Sequence, residues 1–102
     1  MVTRVSDNQA ENRYELVVDD EPAGLIDYFP VEGGRDLFHT EVFPEFLGRG
    51  LAAELVAGAL ADLRSQGLIL VPTCPYIQGY LHKHPEDIAL VPPAERGQWG
   101  LV

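Results

Sequence analysis

The chain has 102 residues, the size of one small domain, which excludes two packed domains or a long doubly wound sheet. With 46% hydrophobic and 23% charged residues, its composition is that of a globular core-former, not of a disordered or transmembrane chain. Seven Lys and Arg against sixteen Asp and Glu leave a net charge of -9, which argues against nucleic acid or an anionic membrane as partner, and the single cysteine excludes an internal disulfide framework.

The opening residues, Met1 to Asn12, show neither a helical nor a strand period and are expected to form a flexible arm, with the ordered domain running from 13 to 88 and a tail from 89 to 102. No apolar segment follows the polar opening, so a secretory signal is not expected and a cytoplasmic location is. From Arg13 a period of two (Tyr14, Leu16, Val18) predicts a strand, which Asp19-Asp20-Glu21-Pro22 interrupts with turn chemistry. Ala23 to Val31 and Leu37 to Phe43 give two more, separated by the glycine turn Glu32-Gly33-Gly34-Arg35, so three antiparallel strands are expected. Over Glu45 to Gln66 the period changes: Ala52, Leu55, Val56, Ala59, Leu60 and Leu63 fall within an arc of roughly 140° on a helical wheel. Gly67 stops this amphipathic helix. Leu68 to Val71 is an unbroken apolar run, read as a strand covered on both faces and parallel to the strand before the helix. Pro75 opens a second short helix to about Lys83, and Pro85 ends it. The predicted fold class is therefore α/β with a mixed sheet: antiparallel strands leading into a strand–helix–strand crossover and a second short helix.

Gly48-Arg49-Gly50-Leu51-Ala52-Ala53 stands between a strand and a helix, where glycines let the backbone approach a phosphate and free helix amides face the anion. The string also fits the dinucleotide fingerprint, but the next strand ends in Val71-Pro72-Thr73 without the carboxylate that fingerprint needs. Read from the residues alone, the glycines serve either a phosphate or merely a tight turn and close helix packing.

Leu47-Gly48-Arg49-Gly50-Leu51-Ala52 resembles the acetyl-CoA signature Q/R-x-x-G-x-G/A of the GCN5-related N-acetyltransferase superfamily, matching at Gly50 and Ala52 and departing at Leu47. His39-Thr40-Glu41-Val42, Cys74-x-Tyr76, Tyr80 and His84-Pro85-Glu86 are similar to the small single-domain branch of that superfamily, and the resemblance spans about residues 13 to 88. It implies the minimal acyl-CoA N-acyltransferase fold and acetyl-CoA as cofactor. The cofactor would be held by Val42, Phe43, Leu47, Gly48, Arg49, Gly50, Leu51 and Ala52, with its pantetheine arm in a wedge between the strands at 37–43 and 68–73.

Three residues are candidates for the chemistry. Cys74, at the start of the second helix, is either a nucleophile favoured by the helix dipole or a small buried hydrophobe, and the resemblance sets a cysteine near the thioester. Tyr80 resembles the superfamily tyrosine that protonates the departing CoA thiolate; the spacing from Ile77 and Leu81 also suits a buried helical stripe. His39 and Glu41 share one strand face, from which either could take a proton from an acceptor amine, His39 being the catalytic candidate; its other use is as a hydrogen-bonded support. No metal is predicted, because His82 and His84 are two apart on a helix and cannot meet one ion.

The expected function is acetyl transfer to an amine. Its rival is a non-catalytic acyl-CoA-binding or protein-interaction module with the same fold. Larger members of the superfamily wall the acceptor side with two helices between the first two strands, where Asp19 to Pro22 leaves room only for a turn. An open acceptor side and a charge of -9 point to a cationic or macromolecular acceptor, or to a homodimer in which a second subunit completes the wall.

Overall fold

In the computed structural model, which describes residues 1–101, five strands form one sheet whose spatial order follows the chain. They are β1 (Thr3–Asn8), β2 (Arg13–Val18), β3 (Glu21–Val31), β4 (Gly34–Val42) and β5 (Ile69–Val71); helix α1 (Leu51–Gln66) lies between β4 and β5, and α2 (Pro75–Lys83) follows β5. The first four strands are antiparallel neighbours, and β4 and β5 run parallel, as a crossover through α1 requires. The predicted mixed α/β fold is therefore the observed one. Asp19 and Asp20 close the β2–β3 hairpin with φ of 47° and 69°, the turn geometry that suits strand twist and that short polar side chains tolerate.

The opening residues are not the expected loose arm. β1 pairs with β2 along its whole length, from Thr3↔Val18 to Asn8↔Arg13. Val5 is its single apolar residue, and the second anchor is ionic: Asp7 accepts from Arg35 Nη1 and from the Tyr28 hydroxyl, both at 2.7 Å. The same Nη1 reaches the Tyr14 hydroxyl at 2.6 Å, and that hydroxyl donates to Asp62 of α1 at 2.7 Å. The guanidinium also lies 4.6 Å from the Tyr28 ring centroid. Arg35 is thus a buried charge with its partners supplied by β1, β2, β3 and α1, the condition under which burial of a charge is tolerated. Burial, together with the acceptor Asp7, pushes the Tyr28 phenol up to about 12; burial and Asp62 push that of Tyr14 well above its ordinary value.

α1 lies across all five strands on one face, burying Leu51, Leu55, Val56, Ala59, Leu60 and Leu63 against Tyr14, Leu16, Ile26 and Leu37. Its first residue is Leu51, not Glu45 as the periodicity suggested, because Pro44–Phe46 form a 3-10 turn and Gly50 sits at φ 71°. β5 is covered on one face only: Leu70 is buried, whereas Ile69 and Val71 are half-buried at the sheet edge. Residues 89–101, the described part of the expected tail, pack on the domain. They contain 3-10 turns, and Val91 and Leu101 are fully in the core. The opposite sheet face is half-buried or exposed along Glu15, Val17, Leu25, Asp27, Phe29 and His39. No helix among the described residues is long and apolar enough to cross a membrane.

Candidate active site

β4 and β5 are joined by three residue pairs, Gly34↔Ile69, Arg35↔Leu70 and Asp36↔Val71, and then separate. Gly34 is required at the first, since a Cβ there would collide with the Ile69 carbonyl oxygen. Past the last pair the chain turns: the Thr73 hydroxyl donates to Asp36, and the Cys74 amide to the Leu37 carbonyl at 3.0 Å. From Phe38 onward β4 has β3 as its only strand partner, so its other edge opens as a wedge with Cys74 at the apex. The thiol is buried, with Sγ 3.4 Å from Thr40 Oγ1, and Cys74 occupies the cap position of α2 ahead of Pro75.

A bulge sets the two sides of β4. Tyr28 pairs with Leu37 and Asp27 with His39, so Phe38 is an extra residue. Leu37 and Thr40 consequently face the helices, while Phe38 and His39 both turn to the helix-free face. There His39 Nε2 lies 3.2 Å from Glu41 Oε1, the shared face that the two-residue period predicts. Imidazole and thiol flank β4 from opposite sides.

The glycine loop connects the open end of β4 to α1. Gly48 and Gly50 have φ of 80° and 71°, and a Cβ at either would meet nothing within 4 Å, so the backbone here is bare. Gly50 caps α1 without a side chain to accept from the first-turn amides, and no carbonyl of the loop accepts from the amides of Gly48, Arg49 or Gly50. Together these leave a row of donors at the positive end of a helix. Arg49 stands over the Phe46 ring at 5.4 Å, Leu47 is 64% exposed, and Val42 and Phe43 are half-buried against the core. Leu51 and Ala52 differ from the rest: Leu51 is buried in the core and Ala52 is half-buried.

Beside the loop, a cleft of about 290 Å³ is lined by Ala53 of α1 and by Tyr76, Gly79, Tyr80, Lys83 and His84. Tyr80 stacks on His84 with centroids 4.0 Å apart. The buried stripe of α2 is Ile77 and Leu81, and Tyr80 is offset from it to the cleft rim. Burial raises its phenol, and Asp87 and Glu86 add to the effect, so the proton is held. The sequence reading missed Ala53, Tyr76, Gly79, Lys83 and His84 as lining residues. The signal was there: Tyr76, Gly79, Tyr80 and Lys83 recur at i, i+3, i+4 and i+7. Among the described residues no group of three or more His, Cys, Asp or Glu is gathered as for a metal.

A family model described as GCN5-related N-acetyl-transferase matches residues 13–91. The chain belongs to the GCN5-related N-acetyltransferase family. No curated protein matches it. The family match starts at the first residue of β2 and ends at buried Val91, so the edge strand β1 lies outside the matched segment.

Proposed function

We propose that the protein transfers an acetyl group from acetyl-CoA to an amine on a cationic or macromolecular acceptor. The observation that carries this reading is the wedge past Asp36 and Val71, whose open β4 edge leads directly into the unpartnered amides at the start of α1. The residues fit the cofactor. The amides of Gly48 to Ala52 suit a pyrophosphate, and Arg49 and Lys83, neither of which has a carboxylate partner among the described residues, supply positive charge that the chain as a whole lacks. Val42 and Phe43 would flank the pantetheine arm, and Tyr76 and Tyr80 would line the cleft beside it. Acetyl-CoA supplies an acetyl group activated as a thioester.

The remaining chemistry belongs to the chain. His39, held at Nε2 by Glu41, takes the proton that the acceptor amine must lose; Tyr80, whose phenol stays protonated at neutral pH, is the donor to the leaving sulfur. Buried Cys74, with Thr40 as its neighbour, closes the apex and is the candidate nucleophile. Leu47 favours the second reading, a non-catalytic acyl-CoA-binding module, because it puts an exposed apolar residue where the family signature has Gln or Arg.

One assay decides between them. Pure protein is incubated with acetyl-CoA and thiol release is followed with lysine-rich peptides, polyamines and small neutral amines, alongside the CoA-induced shift in melting temperature. The expected result is a saturable shift and a release rate highest for cationic acceptors, falling as salt rises. A shift without release leaves the binding module, and no saturable shift at millimolar CoA overturns both. Tyr80→Phe should slow release about a hundredfold or more while keeping the shift. Full turnover in Cys74→Ala would assign the thiol to the wall of the wedge.

A further inference from the structure

An aromatic pair on the helix-free face belongs neither to the core nor to the cleft. Phe29 and Phe38 stack with centroids 4.6 Å apart and planes 18° from parallel, yet are 59% and 37% exposed. The bulge creates the pair, since Phe38 is the extra residue that turns outward beside His39. Val31, also exposed, extends the apolar surface along β3 on the same face. Phe38 is two residues past the last β4–β5 pair, so this surface abuts the mouth of the wedge. Its border is acidic: Asp27, between Arg13 on β2 and His39 on β4, forms no ion pair within bonding distance among the described residues, Glu41 meets the His39 imidazole, and the Arg13 guanidinium is held by Glu15 at 2.7 Å.

We infer that Phe29 and Phe38 are the docking platform for the acceptor, a basic protein segment that lays an apolar side chain on the stacked rings and so holds a neighbouring lysine at His39. The inference rests on the acetyl-transfer reading for the purpose of the dock, and on charge for its occupant. An aromatic face with Asp27 and Glu41 beside it attracts lysine through both the ring and the acid. A second copy of the chain is the poorer partner, because a symmetric contact through this face would bring two copies of the same acidic border together on a protein of charge -9.

The test measures binding of a short labelled peptide alternating lysine and leucine by fluorescence anisotropy, with lysine–serine and glutamate–leucine peptides for comparison. Wild type should bind the lysine–leucine peptide at least about tenfold more tightly than either control, and Phe29→Ser should lose about tenfold while keeping its melting transition and its CoA shift. The double variant with Phe38→Ser should lose more; if it does not fold, the exposed Phe29 carries the test alone. Equal binding of the lysine–leucine and lysine–serine peptides, or an unchanged affinity in Phe29→Ser, overturns the dock. So does a wild-type dimer that Phe29→Ser dissociates and the peptide does not. Absence of a CoA shift in wild type instead sinks the acetyl-transfer reading, and the peptide result stays interpretable beside it.

Discussion

The two halves of β4 are built to different rules. Gly34 to Asp36 are paired on both sides, and Arg35 there is buried with every partner in place. His39 to Val42 are paired on one side only, and His39, Glu41 and the following loop amides face outward or into the wedge. The bulge at Phe38 separates the halves. One strand thus anchors the fold at its start, where polar groups are satisfied internally, and at its end leaves them open to solvent.

That contrast can be broken from either side. Arg35→Ala strands the half-buried carboxylate of Asp7 and removes the buried donor to Tyr14, so urea denaturation should show a loss of about 3–5 kcal/mol. A loss under about 1 kcal/mol would mean the network anchors nothing. The same network sets an alkaline limit. Tyr14 and Tyr28 are raised in the folded state, so their contribution is intact below the ordinary tyrosine pKa of about 10 and is lost as pH climbs toward the folded value of about 12 for Tyr28. Melting midpoints measured at intervals across that window should fall, and a flat profile contradicts the buried phenols. Gly34→Ala forces the Ile69 carbonyl away and should cost about 1–3 kcal/mol, and because the displaced strand leads through Pro72 and Thr73 to Cys74 it should also weaken the CoA shift. An undiminished shift would make the wedge independent of the ladder beneath it. Gly50→Glu should cost least in stability, about 1–2 kcal/mol for a side chain at positive φ, yet abolish the CoA shift, since the new carboxylate fills and repels the anion seat.

Legibility in the sequence followed the same division. β2 and α1 were readable because apolar residues recur at two or at about 3.6, as a buried face imposes, β3 and β4 from apolar runs bounded by turn residues, and α2 from Pro75 and Pro85. β1 was not, because Asp7 holds it through Arg35, far away in the chain, and an inward carboxylate looks like a surface residue until its partner is known. The start of α1 was set too early because the wheel registers apolar spacing and is blind to the positive φ of Gly50. In the site, the glycine loop and Tyr80 were visible as motifs. The separation of His39 from Cys74 was not, since it depends on a single extra residue in a strand pairing, and the same bulge hid the Phe29–Phe38 stack.

The three-pair ladder between β4 and β5 has a consequence for how the molecule opens. The four antiparallel strands are hairpin neighbours that zip locally, whereas β5 finds β4 only after α1 has crossed the sheet, and it then holds with few bonds at an edge. Hydrogen exchange should therefore find the amides of residues 69–71 and the start of α2 releasing their protons well before those of β2 and β3. The walls of the wedge can then part while the meander stays whole, so the proposed macromolecular acceptor would meet a site that breathes without the protein unfolding.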